Sequence, residues 1–163
     1  QTLRREHIVF LPELSIGEDM LFVFQYLHYC RSICFSKDAG YHYTIAQGSA
    51  MFSSRDYTQP YEKTFKVMSE KGRFPFPISD RTLSRWAFDA SIIIIANPFI
   101  IDRSYTEFKK WWREFCQTAL YRSAVASEKP SGYKRKVLHF ALHSENTIAI
   151  YVLFRLLRFG KKK

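Results

Sequence analysis

Two adjacent carboxylates, Glu18 and Asp19, stand just before the apolar run Met20-Leu21-Phe22 and just after Gly17. Ser15 and Glu18 have the S/T-x-x-E spacing of a capping box, which places a helix start at Ser15. The beginning of a helix carries partial positive charge and unpaired N–H groups, so acids there stay ionised. Glu18 is expected to turn back and cap the helix, which leaves Asp19 without a structural partner. A fixed, ionised carboxylate is the group a general base requires: it takes a proton from a hydroxyl as that hydroxyl attacks. The plain alternative is that both acids only begin a helix.

The elements that would hold these acids follow from the pattern around them. Residues 6–11, containing Ile8-Val9-Phe10, read as a strand stopped by Pro12. Residues 16–29 read as a helix, with Met20, Val23, Phe24 and Leu27 along one face. Residues 32–35 and 41–45 read as two more strands, separated by a turn at 37–40. The spacing from 57 onward predicts helices over 57–71, from Ser79 or Asp80 to Asn97, over 104–127, 133–143 and 146–159. The β-branched run Ile92 to Ile95 continues the apolar face of the second of these and is read as buried helix. The fold class expected is therefore α/β, or α+β within this stretch, with residues 1–55 forming a strand-helix-strand-strand part and 56–163 a helical extension.

Composition narrows the partners without choosing one. The formal net charge of +10 favours anionic surfaces or ligands. Basic residues are scattered rather than interleaved with aromatics on a strand, and no zinc-finger, RNP-like or GXXG signature occurs, so no specific nucleic-acid partner is expected. Cys30, Cys34 and Cys116 form no CxxC pair and are expected to be buried thiols in a reducing compartment. No apolar run reaches the ~18–20 residues of a membrane span. Trp111 and Trp112 are adjacent: Trp111 is a candidate stacking platform for a sugar or lipid, or else a partly covered neighbour of a core Trp112.

The ordered series Ile8-Val9-Phe10, Gly17-Glu18-Asp19, Phe22, Tyr41-x-Tyr43 and Ser49 resembles the carboxyl half of a family-2 glycosyltransferase of the GT-A type. The likeness covers roughly residues 6 to 52, and no single piece of it is specific. It implies that Asp19 is the general base for an acceptor hydroxyl, that Glu18 orients the acceptor or holds the helix start, and that transfer inverts the sugar carbon. It implies that Tyr41, Tyr43 and Ser49 line the donor and acceptor cleft, and that His42 helps hold a metal. Read without the resemblance, Tyr41 and Tyr43 are core positions of an alternating strand, and His42 lacks ligand partners. Family members often carry arginine after Y-x-Y, where this chain has Thr44. The implied cofactor is a divalent ion, Mg or Mn, but the D-x-D pair that would hold it is absent from the sequence. The implied partners are a nucleotide-sugar donor and a glycan or lipid-linked acceptor, in the cytoplasm or at the inner face of the membrane. With Gln1 first and the nucleotide half missing, the chain is expected to be a portion of a longer protein.

Residues 146–163 are apolar on most sides until Arg155, Arg158 and Lys161 to Lys163, which suits either a core helix with solvated lysines or peripheral membrane contact. A non-catalytic reading therefore stands beside the enzyme: a basic helical module bound to a membrane surface or to nucleic acid.

Overall fold

Apolar positions three and four residues apart bury one stripe of a helix, and this rule organises nearly everything after residue 57. The computed structural model describes residues 2–38, 55–127, 131–144 and 146–159. Their helices are α1 (Thr2–Arg5), α2 (Glu18–His28), α3 (Thr58–Ser69), α4 (Asp80–Ala96), α5 (Pro98–Ile101), α6 (Tyr105–Phe115), α7 (Ala119–Val125), α8 (Tyr133–His143) and α9 (Thr147–Phe159). The central helix is α4, which packs on α3, α5, α7 and α9, while α6 packs on α9. Leu83, Ala87, Ala90 and Ile94 of α4 are buried; the β-branched run is helical, as expected, but only Ile94 and Ile95 of it are core, Ile92 being partly buried and Ile93 exposed. Ser79 caps this helix, its hydroxyl accepting the N–H of Thr82.

The α/β expectation is overturned: no strand occurs among the described residues, and the architecture is helical. A strand is stabilised by its neighbours across the sheet more than by its own composition. Residues 6–11 have no such neighbour here. The N–H of Ile8 returns to the carbonyl of Leu3, and His7 takes a positive φ of 51°, which breaks an extended path. Ile8 is buried, but Val9 and Phe10 are both exposed, so the alternation of a half-buried strand is absent. Phe10 instead stacks on Phe22 of α2, ring centroids 4.3 Å apart. Residues 32–36 are likewise irregular, and the expected strand over 41–45 lies outside the described residues.

Two helix boundaries also differ from expectation. Asn97 does not simply end α4: its side chain accepts the N–H of Phe99 and restarts the chain as α5 with Pro98 in the first turn. The stretch expected as one helix over 104–127 breaks at Cys116–Thr118. Thr118 caps α7 by accepting the N–H of Tyr121. Two further N–H groups of that turn, on Ala119 and Leu120, go to the buried carboxylate of Glu62 on α3. Leu14 and Leu21 share one core with α3 through α9, so the described residues before 55 pack on the helices that follow. The cysteines are not buried thiols: Cys34 is exposed, and Cys30 and Cys116 are partly exposed.

A complete capping box opens α6. Glu107 accepts the hydroxyl and the N–H of Ser104, and Ser104 accepts the N–H of Glu107. These bonds hold the Glu107 carboxyl below its ordinary value. A depressed folded-state pKa gives stability that is present above the unfolded pKa and lost as pH falls through the folded one. Ser104→Ala is therefore expected to lower stability at neutral pH and to flatten the acid limb of the stability–pH curve, read by urea titrations at several pH values.

Candidate functional site

The corner at Gly17 is built by contacts from α3. Gly17 has φ 77°, a left-handed conformation that costs an L-residue roughly 1–2 kcal/mol. A Cβ there would lie 3.1 Å from Cγ2 of Thr64, and the Thr64 hydroxyl donates to the carbonyl of Ile16 at 2.6 Å. Thr64 is fully buried, so the approach to α2 is pinned against α3 from 48 residues away in sequence. Gly17→Ala is expected to destabilise by about 1–2 kcal/mol from backbone strain, with crowding added. In urea denaturation, Thr64→Ser in that background should recover only the crowding part, because serine keeps the hydroxyl.

The helix start differs from the capping-box expectation. Gly17, not Ser15, is the N-cap of α2, and no side-chain cap bond is made. Ser15 is exposed. The left-handed glycine makes the turn by itself, so Glu18 is not drawn back to cap. Asp19 is the acid with a local partner: its Oδ1 accepts the N–H of Met20 at 2.7 Å. Glu18 is partly buried, Asp19 is exposed, and both lie in the first turn of α2. Capping therefore does not separate the two acids. What distinguishes Asp19 is a carboxylate oriented by one N–H with its second oxygen uncommitted among the described residues.

An open, shallow groove begins two residues before this corner. Glu13, Ser15, Gln59, Pro60, Glu62, Lys63 and Lys66 line it. Its floor is already committed, because Glu62 spends both oxygens on the start of α7 and has Lys66 Nζ at 3.9 Å. Apart from Pro60, the remaining lining side chains carry polar or charged groups on aliphatic stems.

Trp111 is not on a surface. It is 5% exposed, its ring stacks on Phe115 at 4.9 Å, and its indole N–H goes to the Thr58 hydroxyl at 3.2 Å. Both tryptophans of the pair are core, so Trp111 presents no open ring face on which a sugar or lipid could stack. Tyr41, His42, Tyr43 and Ser49 lie outside the described residues. The described residues do not fit the expected Mg or Mn ion: no three His, Cys, Asp or Glu side chains come together, and Glu18 and Asp19 have no third ligand beside them.

Sequence reasoning missed Thr64 and Glu62, which shape the corner and the groove floor. Their partners are 48 and 57–58 residues distant, so no local pattern marks them. Gly17 did carry a signal, since glycine immediately before a helical run supplies a positive φ cheaply. No protein family, curated protein or solved structure matches the chain.

Proposed function

We propose that this chain is the acceptor-side portion of a family-2-like glycosyltransferase, with Asp19 as the base that deprotonates the acceptor hydroxyl. The ordered residue series from Ile8 to Ser49 supports this reading. The single structural observation in its favour is the exposed Asp19 carboxylate, set in the first turn of a pinned helix and oriented by the Met20 N–H. The acceptor oxygen loses its proton to Asp19 as it attacks the anomeric carbon, and the nucleoside diphosphate leaves from the opposite face. Ser15, Gln59, Lys63 and Lys66 offer hydrogen-bonding groups to a glycan or to the polar part of a lipid-linked acceptor. The groups that would hold the nucleotide sugar and its divalent ion are not among the described residues, so the proposal concerns the acceptor side alone.

The test is sugar transfer by the complete gene product, from a panel of nucleotide sugars to glycan and lipid acceptors. Asp19→Asn is expected to lower kcat by about a hundredfold or more while nucleotide-sugar binding and helicity are retained. Glu18→Gln should cost less, and its stability should stay close to that of the parent because Glu18 caps nothing. Near-normal turnover of Asp19→Asn would remove Asp19 from the chemistry. Failure to transfer from any donor would favour a second reading, a basic helical module without catalysis, which the helical architecture and the net charge of +10 support.

A further inference from the structure

Helix α9 has two unlike faces. Ile150, Tyr151 and Phe154 are buried, and Tyr151 fixes the helix by donating its hydroxyl to the carbonyl of Arg103 at 2.8 Å. Arg155 reaches back to the same hydroxyl. On the other face, Ile148, Val152 and Leu156 are 59%, 47% and 64% exposed. Their four-residue spacing makes them one stripe along the helix, with Leu157 on its shoulder. A solvated helix face ordinarily breaks such a stripe with charge, and this one does not. In α8, three residues before α9 in the described chain, Tyr133 and Phe140 are 82% and 75% exposed among the basic residues Lys134, Arg135 and Lys136.

In the sequence, the charged residues from Asn146 onward are all basic. No Asp or Glu follows Glu145 in the sequence, whereas Arg155, Arg158 and Lys161 to Lys163 do. Arg135 is paired with Asp89, but Lys134 and Lys136 have no acidic partner among the described residues. Helix α9 has 13 residues and spans about 20 Å, and no described helix is long and apolar enough to cross a membrane.

We propose that α9 seats this protein on an anionic phospholipid surface, with its axis in the headgroup plane and Ile148, Val152 and Leu156 inserted toward the acyl boundary. Charge complementarity selects this occupant. A second copy docked face to face would bring two like-charged sets of basic residues together. Nucleic acid would satisfy the cations and leave the aliphatic stripe in water. An anionic bilayer takes both, burying the stripe and pairing the cations with lipid phosphates. The proposal does not depend on glycosyl transfer, because it uses a surface distinct from the Gly17 corner.

Cosedimentation of the chain with vesicles of phosphatidylcholine alone, or of phosphatidylcholine mixed with phosphatidylglycerol, tests it. Binding is expected to the mixed vesicles, to fall with added salt, and to be weak on neutral ones. Replacing Ile148, Val152 and Leu156 together with serine should lower partitioning by about a hundredfold. These side chains are exposed, so unchanged circular dichroism will show that the fold survives. Equal binding to both vesicles, or undiminished binding of the triple-serine variant, overturns the proposal. So does a concentration-dependent dimer that the serines abolish, or duplex DNA binding without vesicle binding.

Discussion

Trp111→Ala is expected to destabilise the protein by about 3–5 kcal/mol, the range for deleting a buried aromatic from a packed core. Trp111 lies in a cluster with Phe108, Trp112 and Phe115, and Tyr121 packs edge-on against Trp112 and Phe115. Removing the indole leaves a void that these rings can only partly close, since Phe108 and Phe115 are themselves almost wholly buried. It also strands the hydroxyl of Thr58, which is buried and receives the indole N–H. Trp111→Phe separates the two losses: it keeps most of the ring volume and should cost only about 1–2 kcal/mol. Urea denaturation of both variants checks this, and Trp111→Ala should lower Tm on the order of 10 °C. A surface platform for a sugar would behave in the opposite way, with ligand binding lost and stability unmoved. A Trp111→Ala variant as stable as the parent would refute the core assignment.

The same residue shows what the sequence could and could not disclose. Its period placed Trp112 on the buried stripe, and adjacent residues on a helix are ~100° apart, so Trp111 read as a flank. The flank is buried because α6 is covered on more than one side: Thr58 of α3 approaches Trp111, and Tyr151 of α9 approaches Phe108. Local periodicity carries no information about a second neighbour. It did carry α3, α4, α8, α9 and the joined span of α6 and α7, because each has an apolar stripe, but not α5, which Asn97 restarts beyond the end of α4. It failed on the strands for the complementary reason. The apolar run Ile8-Val9-Phe10 specifies a strand only where another strand lies beside it, and Phe10 finds the ring of Phe22 instead. At the candidate site, Ser15 and Glu18 had the right spacing for a capping box, yet Gly17 intervenes and turns the chain first. The pair of acids was legible; which of them is held, and by what, was decided by Gly17 and by Thr64 on a distant helix.

Glu62 is the second position where a large effect is expected, and it too is a contact no local pattern reveals. Helix α7 has seven residues, well short of the length at which an isolated helix is stable in water. It persists because it packs on α3 and α4 and because its first turn is fully bonded. Thr118 takes the N–H of Tyr121, and Glu62 takes those of Ala119 and Leu120 at 3.2 and 3.1 Å. A carboxylate at a helix start gains from the partial positive charge there, and its hydrogen bonds are charge-assisted. Glu62→Ala removes both acceptors and leaves the Leu120 N–H buried, at a cost of about 3 kcal/mol. Glu62→Gln keeps one acceptor oxygen and should cost about 1 kcal/mol, because a neutral amide bonds less strongly and its NH₂ meets another donor. Amide hydrogen exchange should locate the damage, with protection lost first along α7 and later in α4. Unchanged exchange in Glu62→Ala would mean that packing alone holds the helix. The pair of variants also guards the assignment of Asp19, since Glu62, with Glu13, is one of the two carboxylates that line the adjoining groove. An acid that holds α7 should lose stability in the order alanine, then glutamine, whereas an acid that moves protons should lose turnover equally in both. For Glu62 the first pattern is expected, because both of its oxygens already accept N–H groups of the fold.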